Sequence, residues 1–221
     1  METPFTIEQF FEVFGKYNTA VFPAQFIFIG LGFLGLVLIH KQKNNSNHFI
    51  SGFLAFLWLW IGFIYHIGFF TSINKAAYGF GALFIIQGLF FVREFFRSNL
   101  EFRLQRNSRT YLGYFFVLFG LILYPLTGYL FGSEFHTTIS LGLPCPTTIL
   151  TFGFLMLTNS KFPGYLLIIP TIWAIIGTLA AVHFGVYQDF LMIIAAVIAD
   201  LYLLKRKKMP AVSAVNYSRK S

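Results

Sequence analysis

Few side chains in this sequence combine reactive chemistry with an apolar setting. His66 stands inside the aromatic run WLWIGFIYHIGFF, Gln87 inside GALFIIQGLFF and Asp200 inside IIAAVIADLYLL. Polar groups are costly in hydrocarbon, so each is a candidate for contact with a substrate or ion. For His66 a polar partner from another segment is expected. A second set, Glu134, His136, Cys145, His183 and Asp189, lies in or beside the joints between apolar runs. Imidazole, thiolate and carboxylate are the ligands of zinc and copper. His66, His136, His183 and Glu134 therefore form a candidate zinc or copper set, with Cys145 and Asp189 on the same side.

The spacing does not force that set together. There is no HxxxH or CxxC pair, and only Glu134 and His136 are close in sequence. A metal site would require four segments to converge. The plainer reading is histidines at a membrane interface, bonded to water or carbonyls. Cys145 lies between Pro144 and Pro146. Proline suits the first position of a helix, and the helix dipole there favours a thiolate. Gln87 reads first as a hydrogen-bonding residue between helices. Asp200 reads first as a carboxylate that reaches water and pairs with Lys205, Arg206 or Lys207. No phosphate loop, no GxGxxG after a strand, and no GxSxG or SxxK motif is present.

The elements that must position these residues are membrane helices. Only 11% of the chain is charged and 57% is hydrophobic, with 31 phenylalanines. Soluble domains carry about 25% charge, so a water-facing surface could not be covered. The fold class expected is all-α, a polytopic transmembrane helical bundle of about seven helices. The candidate spans are Pro23 to His40, Phe49 to Phe70, Ala76 to Phe95, Tyr111 to Phe131, Pro146 to Thr158, Gly164 to Val182 and Val186 to Leu204. The fifth is short for the ~20 residues a span requires. Backbone groups in lipid must be bonded within their own segment, which selects helices over strands.

Charge sets the orientation. With seven spans and the C terminus inside, fourteen of the sixteen Lys and Arg residues fall on the inner side, leaving Lys16 and Lys75 outside. That asymmetry follows the positive-inside rule. The cluster Lys205 to Lys208 then anchors the chain at anionic lipid, and nucleic acid is not an expected partner despite the net charge of +8. The organisation expected is an outer amphipathic helix over 1–19, a seven-helix membrane domain over 20–204 and a basic cytoplasmic tail over 205–221. Thr6 and Gln9 have capping-box spacing, and Ile7, Phe10, Phe11 and Phe14 come after as one apolar face. Glu2, Glu8 and Glu12 against Lys16 do not resemble a cleavable signal.

Small residues mark helix contacts. Gly113, Gly120 and Thr127 recur every seven positions, and Ala77/Gly81, Gly177/Ala181 and Ala195/Ala199 are spaced by four. Two stretches also echo each other. PAQFIFIG opens the first span and PTTILTFG the fifth, while Trp58, Gly62 and His66 correspond to Trp173, Gly177 and His183. These echoes predict a parallel three-one-three repeat, the layout of SWEET-type sugar transporters, although the Pro-Gln dipeptide of their relatives is absent.

Four strings, GKYN with FPAQ, YHIGFFTSINKAAYGFG, GLPCPTTILTFG, and PTIWAIIGTLAAV with VYQDF, resemble a bacterial family of multi-pass inner-membrane proteins of unknown function. The resemblance covers nearly the whole chain and implies an inner-membrane location. It carries over no activity and no site residue. The functional expectation is small-molecule or ion transport. The rivals are a membrane-embedded metal hydrolase, resembling ceramidase-like seven-helix enzymes and using the outer histidines, and a structural or sensory protein. A lipid bilayer is the one partner expected outright, with oligomerisation left open.

Overall fold

The computed structural model describes residues 4–43, 45–131, 134, 136–159 and 162–205, the last residue by its backbone alone. The expected basic tail after Lys205, and Lys161, lie outside the described residues. Eight helices are present among those described: α1 (Ile7–Val21), α2 (Ala24–His40), α3 (Ser46–Ser72), α4 (Ala77–Arg97), α5 (Ser108–Leu130), α6 (Pro144–Met156), α7 (Tyr165–Phe184) and α8 (Phe190–Lys205). Five helical segments are long and apolar enough to cross a membrane, and six if α1 and α2, bent by 79° at Phe22 and Pro23, count as one broken span.

The capping box forms as its spacing predicts. Gln9 N–H donates to the Thr6 hydroxyl, and Thr6 N–H donates to the Gln9 side-chain oxygen. The buried face of α1 is rotated from the expected one. Ile7 is 45% exposed, whereas Val13, Phe14, Tyr17 and Asn18 are buried. This face is not a simple lipid float, because it carries two polar groups that reach the bundle. Tyr17 Oη donates to the carbonyl of Gly142 and accepts from Trp60 Nε1, both at 2.8 Å. Asn18 Nδ2 donates to the carbonyls of His136 and Thr138.

Helix α6 is the hub. It has 13 residues, roughly 20 Å at ~1.5 Å per residue, against a hydrocarbon core of ~30 Å. It is packed on all sides by α3, α5, α7 and α8. Its N-terminal end meets the α1 end of the bundle at Gly142. Its C-terminal end meets the loop between α4 and α5 at the opposite end, where Arg103 N–H donates to the carbonyl of Leu157 and Asn159 N–H donates to that of Glu101. The chain thus passes between the two ends at α6 as well. Irregular backbone at that depth is tolerated because protein surrounds it. Trp58 Nε1 donates to Thr151 Oγ1 at 3.0 Å, tying α3 to the hub.

The small-residue seams are real contacts. A Cβ on Gly120 would stand 2.7 Å from the carbonyl oxygen of Pro146, and one on Gly153 would stand 2.6 Å from the amide nitrogen of Val117. Helices α5 and α6 therefore touch backbone to backbone. Gly62 and Gly81 do the same between α3 and α4, each facing the other's carbonyl. The two triplets of the expected repeat pack differently. Helix α8 packs on both α6 and α7, while α4 packs chiefly on α3. His66 is buried and His183 is exposed.

Candidate functional site

The second span changes character halfway. Past Trp60 the helix widens to a π-helical turn over Ile61–Phe69. Such turns rotate the rest of the helix about its axis and recur at functional sites. Here the turn brings the consecutive residues Tyr65 and His66 both into the core.

His66 is fully buried, and neither ring nitrogen has a hydrogen-bond partner. The expectation of a polar partner from another segment is not met. Aromatic rings surround it instead: Phe84 at 4.7 Å between centroids, Tyr65 at 5.1 Å, Trp173 at 5.2 Å and Phe80 at 5.9 Å. Trp173 Nε1 is likewise buried without a hydrogen-bond partner, and the Cys145 sulfur, a weak acceptor, lies near it. Buried indole and imidazole nitrogens are nearly always bonded, so two adjacent unpaired ones are conspicuous.

Both line one cavity of about 190 Å³ at the α1 end. Its walls come from α3, α4, α6 and α7. Its roof is aromatic: Phe10 of α1 stacks on Phe184 at 4.2 Å, and Phe5 stacks on the same ring at 5.4 Å. Cys145 and Asp189 complete the lining. Asp189 accepts a hydrogen bond from the Tyr124 hydroxyl, and both residues are buried.

Of the residues expected on this side, the structure brings His66, Cys145 and Asp189 to one cavity. It separates the rest. His183 is exposed at the end of α7, His136 lines a groove beside Asn18 and Gln25, and Glu134 lies on the surface near Phe131. Among the described residues, no three of His, Cys, Asp and Glu gather as a metal-holding group. The zinc or copper set His66, His136, His183 and Glu134 is not gathered into one such group among the described residues. Its members come from separate segments, and the fold gives them separate environments.

Gln87 holds helices together, in line with its plainer reading. Its Nε2 donates to the carbonyl of Leu166 at 3.1 Å. Proline has no N–H, so Pro170 leaves the carbonyl four residues earlier without its helical donor; that carbonyl belongs to Leu166. Asp200 accepts from Thr171 Oγ1 at 3.0 Å, a bond from α7 to α8. The side chains of Lys205, Arg206 and Lys207, expected to pair with it, lie outside the described residues.

Two features escape a reading of the sequence. Trp173 stands out there only as a repeat marker, although a Trp within an apolar span carries an N–H that must be satisfied. Glu94, near the basic end of the third candidate span, is buried and accepts from the Tyr165 hydroxyl, with the Arg93 guanidinium 5.2 Å above that ring. The helix continues past the expected end at Phe95 to Arg97, which keeps Glu94 inside the bundle.

Comparison with curated proteins and with solved structures finds no match. A family model does match, over residues 7–214, and the chain belongs to that family: DUF6064, a family of unknown function.

Proposed function

We propose that this is a transport protein of the bacterial inner membrane, oriented with α1 outside, which takes a small molecule into the roofed cavity beside His66. The observation that carries the reading is the pair of buried groups without a hydrogen-bond partner, His66 and Trp173 Nε1, on the wall of one partly open cavity. Groups of this kind cost free energy unless something bonds to them, and ligand sites consist of apolar walls with a few such groups. The volume is a little above the ~150 Å³ apolar cavity that accepts benzene, so the ligand is small.

Three further features favour passage over simple storage. The α1 roof is made of side chains, which can part without unfolding a span. Below the cavity, the α4–α7 seam carries polar contacts at Gln87 and again at Glu94 and Tyr165. Pro170 gives α7 a weak point between these contacts and Trp173 on the cavity wall, where helices bend. The basic residues at the end opposite α1 support the orientation through the positive-inside rule.

Cys145 is the sole cysteine and lines the cavity, so the native protein carries its own reporter. Whole cells and inside-out vesicles should be treated with a membrane-impermeant maleimide. Labelling from both sides is the result expected of a transporter. Labelling from the outside alone would reduce the protein to a one-sided binding protein, and labelling from neither side would remove the cavity from function.

A further inference from the structure

We infer that the cavity beside His66 selects a small organic amine in its cationic form, with an apolar body of about the size of a benzene ring. The inference rests on the small-molecule reading above and names the ligand's chemistry.

The argument begins with charge. Among the residues lining the cavity, the only formally charged side chain is Asp189, and no Lys or Arg is present. Asp189 is 4% exposed and forms no ion pair among the described residues; its side chain accepts a hydrogen bond from a neutral donor, the Tyr124 hydroxyl. A buried carboxyl stays neutral unless a cation lies close by to stabilise its charge. Among the described residues none is supplied, so a cationic ligand is the partner that would let Asp189 ionise.

The walls match the same chemistry. Aromatic faces attract cations through their quadrupole, and cages of such rings recognise substituted ammonium groups. Phe10, Phe184, Phe80 and Trp173 present rings to this space. An anion would meet Asp189 and the negative ring faces together, and would find no positive group. A purely apolar occupant would leave His66 and Trp173 Nε1 unsatisfied. An ammonium instead donates one N–H to Asp189 and another to the unprotonated ring nitrogen of His66. The remaining imidazole N–H and the indole N–H are both donors, which suits an oxygen atom or a water carried with the ligand. The size is set by the volume of about 190 Å³.

The test uses three probes of one shape and different charge: benzylamine, benzyl alcohol and benzoate. Binding to the full chain in lipid nanodiscs is read by calorimetry at neutral pH. Ala181→Phe, which puts a ring into the cavity wall, corrects for partition into lipid. The expected result is a component lost in Ala181→Phe, with benzylamine bound at least about tenfold more tightly than benzyl alcohol and benzoate not bound. Asp189→Asn should bring the amine down to about the level of the alcohol. Should Asp189→Asn not fold, the ranking of the three probes on the native protein decides alone. Benzyl alcohol or benzoate bound as well as benzylamine would overturn the inference and leave the small-molecule reading standing. Absence of any component sensitive to Ala181→Phe would also overturn it, and Cys145 labelling would then judge the transport reading separately.

Discussion

Gln87 and Pro170 sit on facing helices and act on the same atom. Proline removes the donor that would have bonded the carbonyl of Leu166, and the glutamine amide replaces it from α4 at 3.1 Å. In lipid no water can fill the vacancy, so the bend-prone helix and the polar residue depend on one another.

Gln87→Leu should therefore destabilise the protein by about 1–3 kcal/mol, the cost of a buried orphan carbonyl. In a Pro170→Ala background Leu166 regains its own helical donor, and the same substitution should cost less, with a coupling of about 1 kcal/mol. Unfolding in mixed micelles, measured for the four proteins of the cycle, gives the number. Additive losses would mean that the two residues are independent.

Gly153 should not tolerate a side chain. A Cβ there meets the backbone of Val117 and of Gly113 at under 3 Å, and backbone cannot step aside as a side-chain tip can. Gly153→Ala should cost about 1–3 kcal/mol by overpacking, whereas Gly79→Ala, with nothing within 4 Å, should be neutral or slightly stabilising. Thermal denaturation of the two variants side by side checks the contrast.

Tyr17→Phe removes one hydroxyl and strands two groups, Trp60 Nε1 and the carbonyl of Gly142. A loss of about 2 kcal/mol is expected, concentrated where α1 docks. Limited proteolysis should cut α1 faster while the spans stay intact. Cleavage at the native rate would show that the aromatic roof alone holds the helix.

Reporter fusions at Lys16 and Tyr217 test orientation. Phosphatase activity is expected at Lys16 and fluorescence of a cytoplasmic reporter at Tyr217, in keeping with the basic asymmetry. The opposite pattern would place the cavity on the cytoplasmic side.

Much of this architecture is legible in the sequence because membrane physics writes in bulk properties. Apolar length locates the helices, the Thr6 and Gln9 spacing locates the start of α1, and the heptad of Gly113 and Gly120 locates the α5–α6 seam. Each of these signals is local or periodic. The site is legible only in part. His66, Cys145 and Asp189 are candidates by residue type, but their convergence depends on the π-helical turn at Ile61–Phe69 and on α6 being short. Neither leaves a period in the sequence. The metal set is not gathered among the described residues for the same reason: Glu134, His136 and His183 share a side of the protein with His66, and a shared side is far weaker than a shared cavity. Trp173 is easily overlooked because its ring fits an apolar span, and its single N–H matters only once its neighbours are known.

The brevity of α6 also bears on how the protein is made. A ribosome delivers it fifth among the crossing segments, as 13 residues that begin with proline and contain three threonines. Such a segment is too short to be held by the bilayer on its own, and its flanking irregular backbone finds no bonds there. Its stable place is defined by α3 and α5, already inserted, and by α7 and α8, which are still to come. Synthesis order and assembly order therefore differ. The centre of the bundle is the last part to be secured, and a chain truncated before α8 should leave α6 open to quality-control proteases although every residue of it has been translated.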